Sequence, residues 1–200
     1  MNANRARILS AATSEFAQHG FGGARVERIA RRAEANKRML YYYFGSKDEL
    51  FLAVLEDAYA HIRNAEHDLD LEHADPREAL KRLVEFTWNY YLEHPEFMAL
   101  LATENLHKGS HVHRSRRVHK LHSPLVDTLR AILRRGERQG LFRRGVDPVQ
   151  LYISIAGEGY FYLSNRYTLS RIFGRDLMAP RELHGRARHI TDLVLNAVRS

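Results

Sequence analysis

Residues Val26–Lys47 read VERIARRAEANKRMLYYYFGSK, and this stretch decides the fold. Val26, Ile29 and Ala30 fall at i, i+3 and i+4, and Ala33 carries the same apolar face one turn further, so a short helix is predicted. Glu34-Ala35-Asn36 is long enough only for a turn, and Asn36 has the side chain of a good N-cap for a second helix. That helix, Lys37–Tyr43, turns Leu40 inward with Phe44 behind it. Lys37, Arg38, Met39, Tyr41, Tyr42 and Tyr43 are expected largely outside. So short a helix cannot stand alone and needs the preceding one as a platform. Cations at its start and tyrosines along its length suit an element laid in a DNA major groove better than a core.

The segment resembles the helix-turn-helix of TetR-family transcriptional repressors. The resemblance rests on Ile29-Ala30, then Leu40-Tyr41-Tyr42-Tyr43-Phe44, then Lys47, and covers about the first quarter of the chain. Three positions depart from the family pattern. Glu34 stands where a turn glycine is usual, Arg25 replaces a Ser/Thr cap, and Arg38-Met39 replaces a common Gly-Thr pair. The first two are expected to cost about 1 kcal/mol each in turn and cap stability. The third concerns base choice, so the operator cannot be borrowed from a relative.

Charge agrees with this reading. The chain has 200 residues, 44% of them hydrophobic, and a net charge of +7. Residues 1–47 hold nine Lys/Arg against three Asp/Glu, whereas the remainder is nearly balanced. Localised positive charge beside the exposed helix points to a polyanion. The absence of cysteine excludes disulfides, thiolate metal sites and cysteine nucleophiles. No apolar run reaches the length of a membrane span and MNANRARIL lacks a signal-like apolar region, so a cytoplasmic protein with no membrane partner is expected.

The rest of the chain reads as helix throughout. Ile8, Leu9, Ala12 and Phe16 stripe a helix over Arg5–His19, with Gly20 as its C′ residue and Phe21 folding back. Arg5 and Arg7 at its start suit either phosphate contact or plain solvation. Ser46-Lys47-Asp48-Glu49 has the form of a capping box, opening a helix that runs to about Asp68 and is shared by two domains as a lever. Pro76, Pro95, Pro148 and Pro180 mark helix starts, and Pro124 a kink or another start. The expected fold is all-α with about nine helices. It comprises a three-helix helix-turn-helix domain at 1–47 and a ligand-binding and dimerisation domain at 48–200. The stripe Leu183, Ala187, Ile190, Val194 and Ala197, widened by Leu193 and Val198, fits a monomer's core or a dimer interface equally well. The resemblance implies a dimer built on the last two long helices.

Within the reading head, Arg38 and Met39 are the candidates for base edges, with Lys37 contributing. Tyr42 and Lys47 match the family's phosphate-holding positions. Asn36, Tyr41 and Arg25 complete the DNA-binding set. The resemblance also implies an effector pocket in the C-terminal domain, for which Trp88, Tyr91, Met98, Glu104, Asn105, Tyr162 and Asn165 are candidates, aromatic walls with a few polar groups being what a small molecule needs. Helical aromatics are more often plain core, and that is the competing reading of these residues. Five histidines crowd His107–His122 and the His119/His122 pair has helical ligand spacing. No acidic or thiolate residue joins them there, so a solvated basic stretch is expected and no metal or other cofactor. No G-x-S-x-G, H-E-x-x-H, P-loop or G-x-G-x-x-G occurs, and an enzyme is not expected. The expected function is ligand-responsive repression from a palindromic operator by a homodimer. A ligand-independent architectural DNA-binding protein is the alternative.

Overall fold

The computed structural model describes residues 3–200. Ten α-helices follow in order: α1 (Ala3–Gly23), α2 (Val26–Arg32), α3 (Lys37–Phe44), α4 (Lys47–His67), α5 (Pro76–Glu93), α6 (Pro95–Leu106), α7 (Arg116–Arg138), α8 (Pro148–Ser164), α9 (Arg166–Phe173) and α10 (Pro180–Val198). A 3₁₀ turn, Val112–Arg114, precedes α7. Among the described residues the only β pairing is an isolated antiparallel bridge between Phe142 and Arg199.

The chain forms two compact units: residues 1–62 with 94–121, and residues 63–93 with 122–200. In the first, α1, α2, α3, the front of α4 and α6 close over Ile8, Phe16, Ile29, Leu40, Leu50, Phe51 and Leu100. Gly20 interrupts α1 with φ +63 and ψ 177, a conformation open in practice only to glycine. That break lets Phe21 pack beside Phe16 and Phe51, with ring centroids 6.2 and 5.3 Å away. In the second unit α5, α8 and α10 pack on one another. Leu80, Leu83, Trp88, Leu151, Ile155, Ile190 and Val194 are buried there. Gly159 sits under Tyr91 and Trp88, where an added Cβ would lie 3.2 Å from the Tyr91 ring. Gly157 has no such neighbour and faces open space.

Helix starts follow local chemistry. Asn36 accepts from the Met39 N–H, and Asp147 accepts from Val149 and Gln150. Ser46 accepts from the Glu49 N–H, but the return half of the expected capping box is absent because the Glu49 carboxylate pairs with Arg114. Pro124 lies inside α7 rather than starting a helix, Ser115 capping the N-terminal turn through its bond from the Val118 N–H. The short helix α9 was not anticipated: only Asn165 separates it from α8, so no breaker in the sequence marks its start.

Candidate nucleic-acid interface and effector region

The turn between α2 and α3 is held from both sides. Glu34 adopts φ +50, the left-handed conformation that a turn glycine would take without strain. Arg25, at the N-cap of α2, makes no side-chain cap bond. The buried carboxylate of Glu15 replaces it, accepting the Arg25 backbone N–H at 3.0 Å and the Arg28 Nε at 2.6 Å. Burial pushes Glu15 up, but hydrogen bonds from Arg28 and Arg25 outweigh it and hold the carboxyl below its usual range. Glu15 was not among the residues singled out from sequence, because its partners lie ten and thirteen positions away.

On this platform α3 buries Leu40 and Phe44 and exposes Asn36, Lys37, Arg38, Tyr41 and Tyr42, the last 82% exposed. Met39 and Tyr43 are less exposed than expected, half-buried against the core of the unit. Lys37 is salt-bridged to Glu27, whose hydrogen bond raises the ammonium pKa. Arg38 has no acidic partner among the described residues. Lys47 lies half-buried with its Nζ 4.7 Å from the Phe21 ring centroid. Burial, and then the like charge of Arg25, lowers its pKa. Two cations that destabilise each other beside the first turn of α4 are relieved by an anion, and a phosphate is the natural one.

The effector candidates divide. Trp88, Tyr91 and Tyr162 come together: Tyr91 and Trp88 cover Gly159, and Trp88 meets Tyr162 edge-on at 5.6 Å. Tyr162 donates to the Leu177 carbonyl at 2.8 Å, with the Arg186 guanidinium 5.4 Å from its ring centre. Asn165, the C-cap of α8, donates to the Phe161 carbonyl at 2.9 Å. Met98, Glu104 and Asn105 belong to the other unit. Met98 is buried, and Asn105 donates to the Leu101 carbonyl. Glu104 is buried and fully engaged, taking the backbone N–H of His111 and Val112 at 2.8 Å and contacting His111 Nδ1 at 2.7 Å. An open groove of about 1150 Å³ runs along α9, lined by Arg166, Tyr167, Ile172 and Met178 among others, and none of the named candidates lines it.

The histidine stretch likewise resolves into local bonds. His111 is buried against Glu104, with Nε2 3.7 Å from Asp48, and His107 Nδ1 contacts the Thr103 carbonyl at 2.8 Å. The His122 side chain lies outside the described residues. Among the described residues no three His, Cys, Asp or Glu side chains form a metal-holding group.

The second unit also contains an ionic cluster that sequence spacing did not reveal. Arg63 and Glu66, one turn apart near the end of α4, are 8% and 6% exposed. Their Nη1 and Oε2 atoms form an ion pair at 2.7 Å, and Arg63 Nε has no hydrogen-bond partner among the described residues. Arg63 Nη2 donates to Tyr152 Oη at 3.3 Å. Burial raises the Glu66 carboxyl to about 7 against the pull of Arg63. The i, i+3 charges resembled an ordinary surface pair, and only tertiary packing distinguishes them.

Known proteins share this architecture along the whole chain. The family model "Bacterial regulatory proteins, tetR family" matches residues 8–54, and "Tetracyclin repressor-like, C-terminal domain" matches residues 76–194. The chain is 45% identical over 195 residues to the HTH-type transcriptional repressor NicS of Pseudomonas putida, covering 98% of this chain and 92% of that one. Among solved structures, transcriptional regulator SCO4942 of Streptomyces coelicolor superposes with TM-score 0.72 at 24% identity, over 98% of both chains. FadR of Bacillus subtilis, solved in complex with stearoyl-CoA, superposes with TM-score 0.71 at 15% identity, over 98% of this chain and 100% of that one. No helix among the described residues is long and apolar enough to cross a membrane. A basic, capped reading head and a helical C-terminal region, matched at both ends by the same family, identify the chain as a transcriptional regulator, not an enzyme, and as a member of the TetR family.

Proposed function

We propose that the protein is a ligand-responsive repressor that binds a palindromic operator as a homodimer and is released by a small-molecule effector. The observation that carries this reading is α3: Arg38, Tyr41 and Tyr42 stand exposed on a capped helix whose inward side is fully packed. Arg38, helped by Lys37 and Met39, reads base edges. Asn36, Tyr41, Tyr42, Arg25 and Lys47 hold the phosphate backbone and set the register. The resemblance to a named repressor along nearly the whole chain supports repression as the outcome of binding.

Homodimerisation is supported by a second apolar stripe. On α8, Val149, Ile153 and Phe161 are exposed in line with Gly157, and on α10 Leu193 is exposed beside Ala197, although each helix already buries another face. A two-fold dimer matches a palindrome, whose half-sites for such reading helices lie roughly 34–36 Å apart. Residues 1–47 form the reading head and 48–200 hold the effector and the partner subunit. Trp88, Tyr91 and Tyr162 are the aromatic wall of the effector site, a reading supported by their packing together around Gly159. Asn165 remains a lining candidate of the same unit, and Met98, Glu104 and Asn105 are candidates of the other unit only. The effector works only by binding the released conformer more tightly than the DNA-bound one. Action in the cytoplasm, on chromosomal DNA, follows.

Capture of fragmented genomic DNA by the purified protein at about 0.15 M salt tests this, the ionic strength at which weak phosphate contacts are screened. A sharply enriched palindrome is the expected result. Broad retention that vanishes with added salt contradicts it and leaves an architectural DNA-binding protein.

A further inference from the structure

The chain between α6 and the second turn of α7 is basic, and it belongs to the unit that carries the reading head. No Asp or Glu occurs between Glu104 and Asp127, whereas Lys108, Arg114, Arg116, Arg117 and Lys120 do. Two of these cations are fastened to α4. Arg114 pairs with Glu49 in its first turn. Arg117 Nη1 lies 3.8 Å from Glu56, about two turns further on, and the same carboxylate accepts from Ser115 Oγ at 2.6 Å. His111 adds a third tie, its Nε2 3.7 Å from Asp48. Lys108, His113 and Arg116 are exposed, and no acid among the described residues pairs with them.

The helix itself gains nothing from this charge. The first turn of α7 has no acid, so Arg116 stands at the positive end of the helix dipole with nothing to offset it. The place of the stretch says which anion suits it. Asp48 and Glu49, to which it is tied, directly follow Lys47, the phosphate-holding position of the reading head. The exposed cations are therefore carried on the same unit as α3, beside the end of α4 that meets the DNA backbone. A duplex bound there presents about one negative charge per 1.7 Å of its axis.

We propose that Lys108, His113 and Arg116 form a second DNA contact, holding phosphates next to the half-site read by α3, with Arg114 and Arg117 fixing the stretch against α4. This rests on the reading-head assignment above and enlarges its footprint. Phosphate contacts carry no sequence information, so the surface adds affinity and register without adding base preference.

Salt titrations of the full-length protein test it, on the enriched genomic site and on a random-sequence duplex of equal length. Lys108→Gln with Arg116→Gln is compared with Arg134→Gln plus Arg138→Gln, which removes the same charge from exposed positions of the other unit. The first pair is expected to flatten the log–log salt slope by about 2 per reading head on both duplexes, so that the wild-type advantage shrinks about tenfold for a fourfold rise in salt. Its preference for the genomic site over single-base variants is expected to stay unchanged. The second pair, and the charge-keeping pair Lys108→Arg with Arg116→Lys, are expected to retain the wild-type slope. Equal flattening by both charge-removing pairs would show an effect of net charge alone and overturn the contact. An unchanged slope, the outcome for a face made for an acidic protein instead, overturns it as well. Failure of the parent reading is distinct: if no genomic site is enriched, the specific operator is lost, and the random-sequence duplex still decides the contact.

Discussion

The carboxylate of Glu15 on α1 accepts the backbone N–H of Arg25 at 3.0 Å, so the helix that supports the reading helix is capped from another element. The same oxygen takes Arg28 Nε at 2.6 Å, while Arg28 Nη2 donates to the Gly23 carbonyl at 2.7 Å. One buried acid thereby ties α1, the Gly23 corner and α2 together. Glu15→Ala is expected to destabilise the protein by about 2–3 kcal/mol, the usual loss for hydrogen bonds to a charged group. Because Glu15 is held below its usual range, its contribution is present above the unfolded carboxyl pKa and lost as pH falls through the lower folded value. Chemical denaturation of both proteins at neutral pH and below pH 4 checks this: the gap between them is expected to narrow in acid, and a constant gap contradicts the assignment.

Glu34 sits at φ +50 in the turn, and its pairing with Arg7 at 3.7 Å joins two exposed side chains that contribute little. Glu34→Gly is therefore expected to stabilise the protein by about 1 kcal/mol, and Glu34→Ala not to. Thermal melting of the two variants distinguishes relief of backbone strain from loss of an ion pair, since both remove the carboxylate. Equal shifts would point to the charge.

These two positions also show what was legible beforehand. The Asn36 cap and the proline-opened helices are encoded within a few residues and appear where local spacing places them, whereas the left-handed turn at Glu34 was implied by the family resemblance. Glu15 is different: a polar residue near an apolar stripe reads as solvent-facing until tertiary structure brings Arg25 and Arg28 to it. Glu104 shows the converse. It reads as a polar group for a cavity, yet the turn at His111 and Val112 occupies its carboxylate. Arg63 and Glu66 have the spacing of a surface pair, and their burial depends on packing with no local signature. Helix α9 follows α8 after the single residue Asn165, so no breaker in the sequence separates the two.

Arg38 and Lys47 are expected to fail differently. Arg38 is exposed on α3, and its truncation to Ala should remove roughly 1–3 kcal/mol of discrimination at one base pair per half-site. Lys47 is half-buried beside Arg25, and Lys47→Ala should weaken all sequences alike and flatten the salt slope. Binding isotherms on a site and its single-base variants at several salt concentrations separate the two. Equal loss on every sequence for both variants contradicts this division.

Glu66 is expected to make stability depend on pH. Arg63, from its own helix, and the Tyr152 hydroxyl, from α8, are the polar groups at this cluster. A carboxyl raised to about 7 contributes no penalty below the unfolded value of 4.5, and its cost develops as pH rises through the folded value. Relative to Glu66→Gln, the wild type should lose stability on the order of 3 kcal/mol between pH 4.5 and pH 8, from about 1.4 kcal/mol per pKa unit. Parallel stability–pH curves for the two proteins would show that Glu66 titrates normally.

The central claim is that two identical reading heads engage one DNA site across a dyad. Its most direct test is affinity for an enriched palindrome compared with the same half-sites moved apart by five base pairs, about half a helical turn. The shift places the second half-site on the opposite face of the duplex. Binding is predicted to fall to the level of a single half-site. Unchanged affinity for the displaced half-sites would show that the heads bind independently, and the dimeric operator reading would be wrong.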